Sequence, residues 1–268
     1  MIFTSGKEQK PGFFKKPGFS SIMIFTLNLA GQRWEVHIAQ DELETVHLPL
    51  LKEITQKAEL QAGRYLVALA GPPGSGKTTL GALWETLARE YQPGIPVQCL
   101  PMDGFHLPNT ELDRRRIVRN GETIPLRKIK GAPESYDLKA IKQAFHAVRM
   151  GKELAWPKYD RQIHDPIANA IPVLNAGIIF IEGNYLLLDE PDWQEFHNYT
   201  DLSIFVECPE AVARERLLAR QQRGGRAYQA AVQHYEFNDL PNWQRVMRHR
   251  LPGNAILTMN EDGRLGRI

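Results

Sequence analysis

The stretch "GPPGSGKTT", Gly71 to Thr79, decides the fold of this chain. It fits the pattern G-x-x-x-x-G-K-[ST] and lies between the apolar run "YLVALAG" and a segment with helical periodicity, the context expected of a phosphate-binding P-loop. Glycines let the backbone wrap phosphate oxygens, and the N-terminus of the next helix presents free N–H groups to them. We therefore predict that the phosphates bind to Gly71, Gly74, Ser75, Gly76, Lys77, Thr78 and Thr79.

Two side chains of this loop have separate predicted tasks. Lys77 is expected to reach the β- and γ-phosphates, and the Thr78 hydroxyl is expected to coordinate Mg²⁺. By average residue usage, a chance match arises in on the order of 1 in 100 such chains, and the strand–helix context lowers that figure. The sequence contains no Asn-Lys-x-Asp guanine motif. ATP and Mg²⁺ are therefore the expected cofactors.

Apolar strands and helical segments alternate on both sides of the loop. Helical patterns cover residues 77–91, 138–150, 210–222 and roughly 227–250. Short apolar runs bounded by turn residues are typical of strands buried on both faces of a parallel sheet. These runs are "YLVALAG", "VQCLPMD", "GIIFIEG", "LSIFVEC" and "AILTMN". We predict an α/β protein: a P-loop NTPase domain over residues 63–268, three-layered α/β/α, with a mainly parallel five-stranded sheet.

The N-terminal part has a different pattern. Residues 1–22 nearly repeat Pro-Gly-Phe among lysines, which predicts a disordered tail or an upstream start before Met23, with a membrane-touching arm as the minor alternative. Residues 23–62 form a predicted appendage. It consists of a β-hairpin turning at Ala30-Gly31 and an amphipathic helix capped by Asp41, with Pro49 near a bend.

Composition narrows the class of protein. The 268 residues are 43% hydrophobic and carry a net charge of +2, which argues against a mainly electrostatic nucleic-acid binder. Cys99 and Cys208 lie in apolar runs and are expected to be buried thiols in a reducing compartment. No run is long enough to span a bilayer, and the stretch "MIFTSGKEQK" has no signal-peptide h-region. We expect a cytoplasmic protein with no membrane or nucleic-acid partner, and the oligomeric state, including a homodimer, stays open.

Two carboxylates end apolar strands. A carboxylate at the mouth of a buried strand is costly unless something there uses it, and open α/β sheets bind ligands at that edge. Asp103 ends "VQCLPMD", with Gly104 leaving room for a substrate; its alternative role is to cap the next turn. Glu182 ends "GIIFIEG" and is expected to bind Mg²⁺ together with Thr78; its alternative is pairing with a Lys or Arg.

A third acidic stretch is expected not to bind the metal. "YLLLDEPD", Tyr185 to Asp192, is similar to the metal-binding strand of transporter ATPases. That class needs a Ser-Gly-Gly-Gln-type signature just upstream, which the sequence lacks. We interpret this stretch as a helix or loop at the domain edge.

The order of motifs carries a resemblance. The P-loop followed by "MDGFH", "KGAPESYD" and "IEGNYLLL" is similar to small-molecule kinases of the uridine kinase, phosphoribulokinase and bacterial pantothenate kinase group. It is most similar to a bacterial branch of nucleoside/nucleotide kinase-like and fructose-transport-system kinase proteins, over about residues 24–265. The resemblance implies ATP-dependent phosphorylation of a hydroxyl on a nucleoside, a pantothenate-like molecule or a sugar. It also implies that Asp103 is the catalytic base.

The resemblance further implies an acceptor site and a lid. Acceptor contacts are expected from His106, Lys130, Tyr136, Tyr159, Arg161 and His164. A lid around residues 214–228 would bring Arg216 and Arg220 to the phosphates, as catalytic partners of Lys77 and Asp103. Both sets have plainer alternatives: the acceptor residues would lie in a solvated loop, and the lid arginines would form a solvated basic helix face. Asp137, at the end of "KGAPESYD", is expected to be the N-cap of the following helix. A second hypothesis is a P-loop switch or assembly factor that hydrolyses ATP without an acceptor, and a nucleic-acid ATPase is a weaker third.

Overall fold

The computed structural model describes residues 3–4, 21–29, 31–92, 94–119 and 121–268. The strands are β1 Phe3–Thr4, β2 Ile22–Leu29, β3 Gln32–Ala39, β4 Arg64–Ala70, β5 Val97–Pro101, β6 Arg116–Arg119, β7 Glu122–Pro125, β8 Ala155–Asp160, β9 Asp165–Pro172, β10 Gly177–Gly183, β11 Leu202–Glu207, β12 Ala255–Met259 and β13 Leu265–Arg267. The helices are α1 Gln40–Glu42, α2 Leu48–Glu59, α3 Lys77–Tyr91, α4 Asn109–Arg114, α5 Leu138–Arg149, α6 Glu210–Arg223, α7 Tyr228–His234 and α8 Leu240–Arg248. Single π-helical turns join α1 to α2 and α7 to α8.

The central sheet has the strand order β13-β12-β11-β4-β10-β5. Its five long strands are parallel, which confirms the predicted α/β class and mainly parallel sheet. The sixth strand, β13, pairs antiparallel with β12 at the edge. Sequence reading missed β13 because three residues are too short to show strand periodicity.

Alternate residues of each central strand enter two different cores. In β4, Val67 and Leu69 pack with the side chains of α2 and α3, whereas Leu66 and Ala68 pack with those of α5 and α8. Every residue of β4 and β10 is buried, because helices cover both faces of the sheet. The carboxyl ends of the parallel strands therefore come together at one edge, where the connecting loops are free to bind a ligand.

The N-terminal hairpin and helix share a core with the P-loop domain. Leu27 and Val36 of the hairpin and Ile54 of α2 belong to the same apolar cluster as Trp84 of α3. Trp84 also donates its Nε1–H to Nδ1 of the buried His47, at 3.2 Å. Residues 23–62, expected as an appendage, are thus packed against the sheet.

The predicted cap of the N-terminal helix is wrong. The helical segment begins at Gln40, with Ala39 before it, and Asp41 lies inside the first turn. The Asp41 carboxylate instead accepts a hydrogen bond from Arg264, at 2.9 Å, in the β12–β13 connection. The bend expected near Pro49 takes the form of a π-helical turn over Leu43–His47, just before the proline.

The predicted tail lies mostly outside the described residues. Its described parts are Phe3–Thr4, which pair antiparallel with β3, and Ser21–Ile22, where β2 begins. Among the helices of the described ranges, none combines the length and apolarity that crossing a membrane requires.

Candidate active site

The P-loop connects β4 to α3 through glycines in the left-handed region. Gly71 has φ +155° and Gly74 has φ +81°. A Cβ added at Gly71 would lie 2.6 Å from the Val206 carbonyl oxygen, and one at Gly74 would lie 2.8 Å from that of Ala213. Glycine is therefore required here both by the backbone conformation and by close packing against β11 and α6.

Lys77 lies folded against its own loop. Its Nζ donates to the carbonyl oxygens of Gly71 at 2.8 Å and Pro72 at 2.9 Å, and to Ser75 Oγ at 3.2 Å. Burial lowers the pKa of Lys77 to about 8, although the charges of Glu182 and Asp103 act in the opposite direction. The ammonium is thus buried beside two carboxylates, with neutral oxygens as its hydrogen-bond partners.

Glu182 lies at the carboxyl end of β10, next to the P-loop. The Thr78 hydroxyl donates to Glu182 Oε1 at 2.8 Å, so the two residues predicted to hold the metal are in contact. Burial, together with the negative charge of Asp103, raises the pKa of Glu182. Among the described residues, no Lys or Arg lies within ion-pair distance of Glu182, and the charges of Lys77 and Arg161 act on it from farther away.

Asp103 follows β5, the edge strand beside β10. Its carboxylate accepts a hydrogen bond from the Tyr136 hydroxyl, at 3.0 Å, and lies in a 3-10 turn over Met102–Phe105. Burial alone raises the pKa of Asp103, but the charges of His106, Arg161 and Arg220 and the Tyr136 hydrogen bond together lower it below its usual value. Asp103 is therefore ionised at neutral pH.

The glycine after Asp103 serves a purpose other than the predicted one. A Cβ at Gly104 would lie 2.2 Å from the Pro157 carbonyl oxygen, so the missing side chain makes room for β8 and not for a ligand. The same packing brings the β8–β9 hairpin against the Asp103 turn.

Aromatic rings form a wall beside Asp103. The ring centroids of His106 and Tyr136 are 4.0 Å apart, and those of His106 and Tyr159 are 5.2 Å apart. His106 Nδ1 lies 2.8 Å from the Asp103 carbonyl oxygen. Three residues predicted from separate motifs thus lie together next to Asp103.

Lys130 lies beside this wall, over the Tyr159 ring. Its Nζ donates to Asn109 Oδ1 and to the His164 carbonyl oxygen, both at 2.7 Å, and lies 4.8 Å from the Tyr159 ring centroid. Burial lowers the pKa of Lys130 to about 8. The side chain of His164 itself is exposed and its φ is +54°, so the structure brings its backbone carbonyl, and not its imidazole, to the site.

The predicted arginines occupy different places. Arg216 Nη1 lies 3.5 Å from the Gly74 carbonyl oxygen of the P-loop. Arg161, at the tip of the β8–β9 hairpin, and Arg220, on α6, are exposed and lie within electrostatic reach of Asp103. Arg223, also on α6, lies over the Trp34 ring, 5.1 Å from its centroid.

Comparison with known proteins places this geometry in a family. The family model of the Phosphoribulokinase / Uridine kinase family matches residues 66–251, which include the P-loop, Asp103, Glu182 and α6. The chain belongs to this family. That membership assigns it to the P-loop kinases.

Individual relatives agree with this family. YggC of Escherichia coli (strain K12) is 38% identical over 90% of this chain and 98% of its own length. "Putative uridine kinase C227.14" of Schizosaccharomyces pombe is 33% identical over 72% of this chain and 83% of its own. The crystal structure of a "putative fructose transport system kinase" from Silicibacter sp. TM1040 has a TM-score of 0.70 at 35% identity, covering 79% of this chain and 98% of that one.

Two loops of this family member are joined by an arginine that sequence reading missed. Arg245, on α8, donates to Glu190 at 2.7 and 2.5 Å and to Glu134 at 2.7 Å. Glu134 lies in the "KGAPESYD" stretch, whose Asp137 caps α5 by accepting from the Ala140 N–H, at 3.0 Å. Glu190, of the "LLLDEP" stretch, is therefore occupied in a structural network, which agrees with reading that stretch as a loop.

Sequence reading also missed Asn109 and its contact with Asp165. Asn109 supplies Lys130 with an acceptor, and its own N–H donates to Asp165 Oδ1 at 2.8 Å. No local motif marks this contact, because its two residues are 56 positions apart in the sequence. Only the packing of the β8–β9 hairpin against α4 brings them together.

Proposed function

We propose that this protein transfers the γ-phosphoryl group of ATP to a hydroxyl of a small metabolite. The observation that carries the proposal is the placement of an ionised carboxylate, Asp103, beside the P-loop Lys77 and Glu182. A hydrolytic switch needs no acceptor-side base. An aromatic wall with cationic residues around that carboxylate supports a bound acceptor instead.

The residues have distinct roles in this proposal. Asp103, oriented by Tyr136, takes the proton of the acceptor hydroxyl while the oxygen of that hydroxyl forms a bond to the γ-phosphorus of ATP. The bond from that phosphorus to the β,γ-bridging oxygen breaks, and ADP leaves. Lys77, Arg216 and Arg220 stabilise the negative charge on the transferring group. His106, Lys130, Tyr136, Tyr159 and Arg161 are the proposed acceptor contacts, with His164 contributing its carbonyl.

The site fits a magnesium ion. Mg²⁺ prefers oxygen ligands and is commonly held by one or two carboxylates together with water and substrate phosphates. Thr78 and Glu182 supply such oxygens in direct contact, and the mutual repulsion of Glu182 and Asp103 favours a cation near them. When bound, Mg²⁺ would neutralise charge on the phosphates.

A screen of metabolites for stimulated conversion of ATP to ADP tests the proposal. We expect one class of alcohols to raise turnover well above the hydrolysis seen with ATP alone. Lys77→Ala should abolish this turnover while the far-UV CD spectrum and melting cooperativity stay nearly unchanged, because the Lys77 hydrogen bonds within the described residues all go to the loop that would hold the ligand. ATP turnover that no alcohol stimulates would favour the acceptor-free switch, and full activity of Lys77→Ala would remove the P-loop assignment.

A further inference from the structure

The surroundings of Asp103 include cationic side chains that form no close ion pair within the described part of the chain. Elsewhere in the protein, arginines pair closely with acids: Arg149 with Asp201 and Arg245 with Glu134 are both at 2.7 Å. Lys130, Arg161 and Arg220 form no such ion pair with any residue that the structure describes. Two of them lie near the aromatic wall: Lys130 contacts the Tyr159 ring, and Arg161, two residues after Tyr159, acts through its charge on His106.

Lys130 is held in position by neutral groups. Two of its three N–H bonds go to an amide oxygen and a backbone carbonyl, which fix the ammonium without offsetting its charge. The acid that its charge interacts with most strongly is Asp165, which forms no ion pair with it and accepts from the Asn109 N–H. A half-buried ammonium with a free donor and no counter-ion is a site for an anion.

Arg161 supplies the second charge. Asp160 Oδ1 accepts from the N–H groups of Gln162, at 2.8 Å, and Ile163, at 3.3 Å, which fixes the turn that carries Arg161. The Arg161 charge acts on both Asp103 and His106, and the Lys130 charge also acts on His106. Both cations are therefore tied to the aromatic wall beside Asp103: Lys130 lies 4.8 Å from the Tyr159 ring centroid, and Arg161 follows Tyr159 by two positions in the β8–β9 hairpin.

We propose that the acceptor carries an anionic group, a carboxylate or a phosphate ester, that Lys130 and Arg161 bind while its hydroxyl faces Asp103. This inference rests on the proposed phosphoryl transfer and narrows its substrate class. A neutral sugar or nucleoside would leave the Lys130 charge uncompensated inside the closed site, whereas an acid would pair with it. Arg220, on the lid helix, is left to stabilise the transferring phosphoryl group.

Matched acceptor pairs test this inference. Turnover with ATP and Mg²⁺ is measured for glycerate against glycerol, pantothenate against panthenol, and ribose 5-phosphate against ribose. We expect kcat/KM to favour the acid of at least one pair, on the order of 10- to 100-fold, the range of one or two charge-assisted hydrogen bonds. The first two pairs test a carboxylate and the third tests a phosphate, so the panel also separates the two sources of charge.

Variants identify the residues responsible. Arg161→Gln and Lys130→Gln should raise KM for the preferred acid on the order of 10- to 100-fold, with a smaller change in kcat and no change in KM for ATP. Arg89→Gln and Lys152→Gln are matched controls, because both residues are exposed and lie near the far ends of α3 and α5. These control variants should keep the kcat, the KM for the acid and the KM for ATP of the unmodified protein.

A binding readout that needs no turnover completes the test. The acids, and not their neutral partners, should raise the melting temperature of the unmodified protein, and Arg161→Gln should remove the rise. Equal kcat/KM for acid and neutral partner in every pair, an unchanged KM in both Gln variants, or no thermal shift with any acid would each overturn the inference. Acid-selective thermal shifts without ATP turnover would instead overturn the proposed phosphoryl transfer and leave the anion site standing.

Discussion

Asp103 has three candidate roles at the scale of a single residue: a base, a metal ligand or a turn cap. Asp103→Asn keeps the size of the side chain and an acceptor for the Tyr136 hydroxyl, but it cannot take up a proton. Loss of a general base typically lowers the rate on the order of 100- to 10,000-fold. We expect such a loss of kcat with little change in affinity for Mg²⁺-ATP, measured by acceptor-dependent turnover and nucleotide titration.

Magnesium titration and a thermal melt of the same variant separate the other two roles. If Asp103 mainly held the metal, nucleotide affinity would fall and excess Mg²⁺ would partly restore turnover. If it only capped a turn, stability would fall by about 1 kcal/mol while catalysis barely changed. The Tyr136 hydrogen bond and the neighbouring charges favour the base.

The buried Lys77 predicts a pH dependence of nucleotide binding. Its pKa of about 8 means that the free protein carries the ammonium charge below that pH and loses it above. Since the phosphates of ATP are already ionised near pH 7, affinity for ATP should fall as pH rises through 8. Titration calorimetry between pH 7 and 9.5 measures this loss, which approaches about tenfold for each further pH unit.

The control for this pH effect is Lys130→Gln, which should keep the same decline because Lys130 lies on the acceptor side. Lys77→Arg, if it folds, should lose the decline, because a guanidinium stays charged throughout the range. An affinity that stays flat to pH 9.5 in the unmodified protein would show that burial does not lower the Lys77 pKa.

At the scale of elements, α6 carries arginines with different surroundings. Arg216 lies beside the P-loop and Arg220 within reach of Asp103, whereas Arg223 stacks on Trp34. We expect Arg216→Ala and Arg220→Ala to lower kcat more than ATP affinity, because their contacts with the phosphoryl group strengthen in the transition state. Arg223→Ala is the control and should change kcat little, as single-turnover and steady-state assays would show. If all three variants kept the kcat of the unmodified protein, α6 would be a solvated helix with no role in catalysis.

At the scale of the whole molecule, the N-terminal segments differ in their share of the core. Deleting residues 1–20 removes only the two-residue strand β1 from the described structure. We expect unchanged turnover and a melting temperature lower by no more than about 4 °C, the shift that 1 kcal/mol produces in a domain of this size. Differential scanning calorimetry measures the shift, and a larger drop would show that the tail packs on the protein.

A longer deletion provides the contrast. Removing residues 1–62 also uncovers Trp84, Leu80 and their neighbours, which share one apolar cluster with the hairpin and α2. This truncation should lose its cooperative unfolding transition. A cooperative melt without residues 1–62 would restore the view of that segment as a separable appendage.

The sequence alone determined what depends on local pattern. The P-loop, its position between β4 and α3, the five parallel strands and the Asp137 cap all follow from short-range spacing, because phosphate binding, strand burial and capping act on neighbouring residues. The tertiary structure decided what depends on residues far apart. Gly104 faces the Pro157 backbone, Arg245 ties Glu134 to Glu190, and His164 offers its carbonyl to Lys130. Each of these contacts joins segments separated by 34 to 111 positions, and no local pattern encodes which segments meet.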